Sequence, residues 1–189
     1  MEGNFIQELE GPEVSKSNVL PRRNSILVLC NANTSEGFNP SRDEYKDEDM
    51  MVHQYLPKGV DYYKMMRKSK FCLCPSGFEV PSPRVVEAIY TGSVPVLVSD
   101  HYVAPFCDVL NWKSFSVEVS VNDIPNLKRI LMSISTSHYL RMQRRLIQVR
   151  KHFEFNSPPK RFDVFHMVLH SIWLRRLNAR VHDGLLAAT

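Results

Sequence analysis

One stretch in the middle of the chain, residues 70 to 98, narrows the possible folds more than any other. Lys70-Phe71-Cys72-Leu73-Cys74 is an apolar run ended by Pro75, and Ser76 to Ser82 carries Gly77, Glu79 and Pro81. Val85, Val86, Ala88 and Ile89 follow at helical spacing, Gly92 reads as a helix stop, and Val94-Pro95-Val96-Leu97-Val98 is apolar again. The pattern predicts strand, loop, helix, strand. Continuous apolar strands around a helix are strands buried on both faces, the habit of parallel sheets. The same unit puts a helix N-terminus, with unpaired N–H groups and a partial positive charge, at the carboxyl edge of the sheet, where an anion can bind.

The flanking sequence repeats the alternation. Met1 to Arg23 is polar, so residues 1–24 are expected as a flexible lead-in, 25–180 as one folded domain and 181–189 as a tail. Ile26 to Cys30 is an apolar run fit for a buried strand, Asn31 to Asp49 reads as loop, and Val52 to Leu56 as a second strand. Asp61 is placed to cap a short helix over Tyr62 to Lys68 whose apolar side is Tyr62, Met65 and Met66. Phe115 to Val119 alternates like a strand, and Asp123-Ile124-Pro125 opens a helix through Ile134. Further helices are expected over 137–153 and, after the Asn156-Ser157-Pro158-Pro159 break, over Arg161 to Asn178. The fold class is therefore α/β, a Rossmann-like, doubly wound, mainly parallel sheet.

A chain of 189 residues that is 43% hydrophobic can bury one substantial core. The formal charge of +4 is unevenly spread: Arg42 to Asp49 is mostly acidic, whereas Arg141 to Arg180 carries ten Lys and Arg against Glu154 and Asp163. The basic segment reads as a solvated helix face or as a site for an anionic partner. Few aromatics interleave with it, which argues against nucleic acid. Four cysteines in a chain of this length do not make a disulfide scaffold. Cys72 and Cys74, two apart on a strand, share a face and read as core residues, and no set of zinc ligands is evident. The apolar runs are too short for a membrane span, and residues 1–20 lack the apolar core of a signal peptide, so a soluble polypeptide is expected.

The candidate site follows from the helix start. Ser82 is placed as N-cap and Pro83 as first helical residue, which puts Arg84 in the first turn and Glu87 on the next. Arg84 could fork onto phosphate oxygens, Ser76 supply a hydroxyl, Gly77 allow close backbone approach, and Glu87 accept from ribose hydroxyls. The competing account is an Arg84 to Glu87 ion pair at (i, i+3) with nothing bound. His166 and His170 lie at (i, i+4) among apolar residues and lack a nearby acid, so they read as core or boundary histidines. His53, His101 and Asp100 fall near strand ends, where a base or a turn residue could stand, and Asn33-Thr34-Ser35 matches a glycosylation acceptor. No P-loop, GxGxxG or nucleophile elbow occurs.

Several of these runs also resemble a known family. Tyr55-Leu56-Pro57-Lys58-Gly59, Met65 to Gly77, Ser82-Pro83-Arg84-Val85-Val86-Glu87-Ala88, Val94-Pro95-Val96, Asp108-Val109-Leu110-Asn111-Trp112 and Asn156-Ser157-Pro158 with Lys160 to His166 are similar to the plant exostosin-like glycosyltransferases. The resemblance covers roughly Val52 to Asn178. It implies the carboxyl-terminal, donor-binding lobe of a two-lobed (GT-B type) glycosyltransferase. Such a lobe takes a nucleotide sugar, a UDP-sugar first among the candidates, for transfer to a polysaccharide or glycan acceptor. On this analogy Arg84 stands near the diphosphate and Glu87 near the ribose or sugar, with no metal or other cofactor required. The family's setting is the Golgi membrane and cell-wall or related glycan synthesis.

The resemblance also carries departures. The family has an anchor, a stem and an amino-terminal lobe ahead of this region, so the acceptor side and the catalytic base are expected outside this chain. Where the family follows its first strand with a Phe-Ala-Gly turn and an Arg-bearing helix, this chain has Cys30 to Gly37, with Arg42 as the available substitute. The alternative reading is a truncated, non-catalytic lobe that binds nucleotide weakly or associates with a full-length relative.

Overall fold

In the computed structural model, which describes residues 26–29, 49–53, 59–75, 83–100 and 102–186, strands and helices alternate as the sequence suggests. The strands are β1 (Ile26–Leu29), β2 (Met50–His53), β3 (Phe71–Pro75), β4 (Val94–Val98) and β5 (Val117–Val119). The helices are α1 (Tyr62–Lys68), α2 (Pro83–Thr91), α3 (Leu127–Met132), α4 (Thr136–Val149) and α5 (Val164–Leu186). The strands form one sheet in the order β2-β1-β3-β4-β5, and every pairing is parallel. This is a doubly wound order whose direction of winding reverses between β1 and β3. The second strand lies earlier than the Val52 to Leu56 expectation, on the Met50-Met51-Val52 run directly after the acidic segment.

Two apolar layers explain why β3 and β4 read as continuous runs. Phe71 and Leu73 face one layer with Val94, Val96, Leu127, Leu131 and Met142, while Cys72 and Cys74 face the other with Met66, Val85, Ala88, Ile89 and Leu97. All five residues of each strand are buried. Cys72 and Cys74 are free, buried thiols on one face, as their spacing predicts. Burying a side chain of the size of Ile89 or Leu97 is worth roughly 1.5–3 kcal/mol.

Local chemistry sets where the helices end. Asp61 accepts a hydrogen bond from Lys64 N at 3.0 Å and caps α1. Gly92 (φ 73°) ends α2: its N–H donates to Ile89 O and that of Ser93 to Ala88 O, a Schellman closure that needs a left-handed residue. Ser93 Oγ, 2.5 Å from Met66 O and 3.0 Å from Ser69 O, ties the end of α1 to the start of β4. The helix expected from Asp123 is instead a 3-10 turn over Val121–Asn126 before α3, because Pro125 has no N–H for an α-helical bond. At the carboxyl end, Phe162 (φ 67°) blocks a helix from Arg161, and α5 begins at Val164 and runs beyond Asn178 to Leu186. Aromatic contacts among Phe106, Trp112, Phe115 and Phe153, with Tyr90 OH donating to Phe153 O at 2.6 Å, hold the carboxyl end of α2 against the segment after α4.

Candidate functional site

α2 starts after the carboxyl end of β3, beside the point between β1 and β3 where the winding reverses. In sheets of this kind ligands collect there. Pro83 is its exposed first residue and leaves no N–H unpaired; Arg84 and Glu87 are half-buried in the first and second turns. Ser76, Gly77 and Ser82 lie outside the described residues, as do His101, Arg42 and the Asn33-Thr34-Ser35 acceptor.

The two residues of the candidate pair have different partners from those the (i, i+3) spacing suggests. Among the described residues no ion pair joins Arg84 to Glu87, and no other carboxylate pairs with Arg84. Glu87 Oε2 instead accepts a short hydrogen bond from the hydroxyl of Tyr62 on α1. Burial, then the hydrogen bond to Glu87 and its charge, push the Tyr62 hydroxyl far above its ordinary range, so it stays a neutral donor at any physiological pH. Burial and the neighbouring Cys72 likewise push the Cys74 thiol up. Arg84 partly offsets both shifts, which puts its guanidinium within electrostatic reach of the Tyr62 hydroxyl and the Cys74 thiol at the end of β3. The result, among the described residues, is a cation without an acid partner beside a carboxylate held through one oxygen. A ligand bearing both an anion and hydroxyl groups would satisfy the two together.

Tyr62 is the residue the sequence reading missed, since it was counted with the apolar side of its helix. The available signal is residue type: a half-buried Tyr in a stripe that a Phe could fill calls for a hydrogen-bond partner. An open cavity of about 610 Å³ lies between the segment after β4 and the edge strand β5, lined in part by Tyr102, Asp108, Asn111, Trp112, Lys113 and Glu118. Tyr102 relates it to the α2 site, because burial and then the Cys74 thiol raise its hydroxyl.

The other candidates are dispersed. His53 closes β2, and Asp100 is exposed just after β4. His166 and His170 are exposed on α5, not in a core, and His166 does have an acid: its Nδ1 lies 2.9 Å from Asp163 Oδ1. Asp163, itself buried, also accepts from Lys160 N at 2.7 Å and from His166 N at 3.3 Å, and so caps α5. Burial opposes its ionisation, but the His166 ring, the two backbone N–H groups and Asn156 outweigh it and hold the carboxyl down at about 2. Among the described residues no three His, Cys, Asp or Glu side chains come close enough to hold a metal ion.

Residues 5–134 match the Exostosin GT47 domain. The chain belongs to the exostosin family. This exostosin-family protein is 51% identical to a probable glycosyltransferase of Arabidopsis thaliana over 92% of its own length and 42% of that relative's. It is 47% identical to a second such protein of the same plant over 84% and 44% of the two chains. It is also 40% identical to a probable beta-1,4-xylosyltransferase, again of Arabidopsis thaliana, over 59% and 27%. The resemblance read from the sequence is thus met at the level of the glycosyltransferase family. The chain spans less than half the length of these relatives. The first match runs over 220 aligned positions, more than the 189 residues present, so that relative carries stretches inside the matched region that this chain lacks.

Proposed function

We propose that this chain is the donor-binding, carboxyl-terminal lobe of a GT-B type glycosyltransferase, and that α2 holds a nucleotide sugar. The observation that carries the reading is Arg84, which has no carboxylate partner among the described residues and sits in the first turn of a helix at the switch point of the sheet. Arg84 and the α2 N-terminus take the diphosphate, where both offset its charge. Glu87, oriented by Tyr62, accepts from hydroxyls of the ribose or the sugar. Ser76, Gly77 and Ser82 are assigned to the same pocket by their place in the sequence.

In the reaction, the oxygen of an acceptor hydroxyl bonds to the anomeric carbon and the bond from that carbon to the diphosphate oxygen breaks. The electron pair leaves with the nucleoside diphosphate, and the acceptor proton passes to a base. Arg84 and the helix N-terminus stabilise the departing diphosphate more strongly as its charge grows. The base and the acceptor site are assigned to the part of the relatives' length that this chain does not span. A UDP-sugar donor, a cell-wall or related glycan as acceptor, and a Golgi setting are the readings the plant relatives favour.

Calorimetric titration of the chain with UDP and with GDP, each with and without Mg²⁺, tests the site. Saturable binding is expected, weakened about tenfold or more by Arg84→Ala, as the loss of a charge-assisted contact predicts. Tyr62→Phe is expected to weaken it less, because Glu87 remains and loses only its orientation. A folded chain that binds neither nucleotide, or binds them equally with Arg84→Ala, overturns the donor site. It then leaves the alternative of a lobe that works only with a longer relative.

A further inference from the structure

The open cavity beside the edge strand β5 is not used by the donor site, and its lining is of a different kind. It holds about 610 Å³, the size of a small-molecule site. Tyr102, Asp108, Asn111, Lys113 and Glu118 bring polar side chains to it, and Val103 supplies apolar wall. Among the described residues no side chain pairs with Lys113 or Glu118 and none hydrogen-bonds the Asn111 amide or the Tyr102 hydroxyl, while Asp108 meets only the Cys107 thiol, at 4.0 Å. The frame behind these groups is fixed. Trp112 is buried, donates from Nε1 to Pro105 O at 2.8 Å and packs on Phe115 and Phe153, and the N–H groups of Val109 and Leu110 donate to Phe106 O at 2.9 and 2.8 Å. Phe106 itself keeps a left-handed backbone (φ 57°), which a bulky residue adopts only where its surroundings hold it there. A cavity with fixed walls and unpaired polar groups is organised in advance for a ligand, and little is lost in ordering it on binding.

We propose that this cavity is a saccharide site, one that holds neutral sugar units of a glycan chain away from the hydroxyl that reacts. The class of ligand follows from the lining. Asp108 and Glu118 as carboxylates only accept hydrogen bonds, Lys113 only donates, and Asn111 and the Tyr102 hydroxyl do both. A sugar hydroxyl also does both, so a ring bearing several can meet all five groups with its C–H edge against Val103. A phosphate only accepts and would face two carboxylates against one ammonium, which sets the cavity apart from the Arg84 end of α2. Position is the second argument. Glu118 pairs in register with Leu97, which lies in the layer that α2 covers, so both side chains leave the sheet on the α2 side. The cavity therefore lies on the same side as the donor site and two strands along from β3, roughly 10 Å at the usual strand spacing. A chain of sugar rings can span that distance, and binding energy from units that do not react helps to orient the one that does. The inference rests on the glycosyltransferase reading for the presence of a glycan, but not on the nucleotide site.

Cys107, an exposed free thiol that lines the cavity, reports its occupancy. The chain is treated with a maleimide, and labelling at Cys107 is followed by mass spectrometry with xylohexaose, cellohexaose, trigalacturonate, UDP or glycerol added. Labelling is expected to slow saturably with at least one of the two neutral hexasaccharides, by about tenfold at ten times its dissociation constant. Asn111→Ala and Glu118→Ala, both at exposed side chains, are each expected to weaken that protection about fivefold, with the circular dichroism of the chain unchanged. No slowing with either hexasaccharide overturns the proposal, as does protection that both variants retain. Equal slowing by trigalacturonate, or by glycerol at the same hydroxyl concentration, also overturns it, and slowing by UDP would merge the cavity with the donor site. Titration of the same chain with UDP reads the donor site separately, so that failure of one site is told from failure of the other. If Cys107 does not label in the free chain, calorimetric titration of the unaltered chain and the two variants with the same hexasaccharides decides the question.

Discussion

α2 and α5 are both helices rich in branched apolar residues, yet the protein uses them in opposite ways. α2 turns Val85, Ala88 and Ile89 into the sheet, where all three are essentially inaccessible, and leaves its amino-terminal turn, with Arg84 and Glu87, half open beside the switch point. Among the described side chains of α5 one, Met167, is buried, and Ile172 and Trp173 are more than half exposed. The first helix is complete in itself apart from a charged end that lacks an acid among the described residues. The second leaves an apolar stripe exposed from Phe165 to Leu177. The two differ in chemistry: a guanidinium with no carboxylate partner among the described residues can take an anion, whereas an exposed apolar stripe is not satisfied by charge.

The contrast can be broken most directly by making one substitution on both helices. Ile89→Ala empties a site that is 0% exposed, between β3 and β4 on one side and Met66 on the other. It is expected to cost about 2–5 kcal/mol, read as a drop in the denaturant midpoint at unchanged slope. A loss under about 1 kcal/mol would mean that the layer around α2 repacks freely, and the rigid placement of Arg84 and Glu87 could not be maintained.

How much of this was legible in the chain depends on the range of the interactions. β3, α2 and β4 were readable because their signals are local: two apolar runs, helical spacing at Val85, Ala88 and Ile89, and a glycine at the one place that needs a left-handed residue. Family membership was readable for a related reason, since its motifs are contiguous runs. The Tyr62 to Glu87 bond was not readable, because it spans 25 positions and exists only once α1 lies beside α2. The start of α5 was misjudged by three residues for a more instructive reason. Asp163 is near His166 in sequence, but the backbone turn at Phe162 lets its carboxylate accept both from His166 N in the first turn of the helix and from Lys160 N before it.

Asp163 sharpens the comparison from the side of α5, because it caps the amino-terminal end of that helix beside the buried Met167. Its carboxyl is held at about 2 in the folded protein against an ordinary value of 3.8. The folded state therefore favours the ionised form. The stability this contributes is fully present above about pH 4 and is lost as the pH falls from there toward about 2. Asp163→Asn is expected to lower the melting temperature at pH 6 by less than Ile89→Ala does, and the difference from the unaltered chain should shrink on acidification through that window. A difference that stays constant down to pH 2 would show that the carboxylate's charge is not what caps α5.

The smallest expected effect is the most discriminating one. Ile172→Ala removes the same atoms as Ile89→Ala, but from a side chain that is 60% exposed, so neither a cavity nor much transfer energy is at stake. Alanine also has the better helix propensity. The change in stability of the isolated chain should thus fall within about 0.5 kcal/mol of zero, and on the stabilising side if propensity dominates. Two results give this number its meaning. A cost near that of Ile89→Ala in the isolated chain would mean that something within the chain already covers the α5 face, and the distinction between the two helices would collapse. A cost near zero would leave the stripe outside the buried layers that hold Ile89.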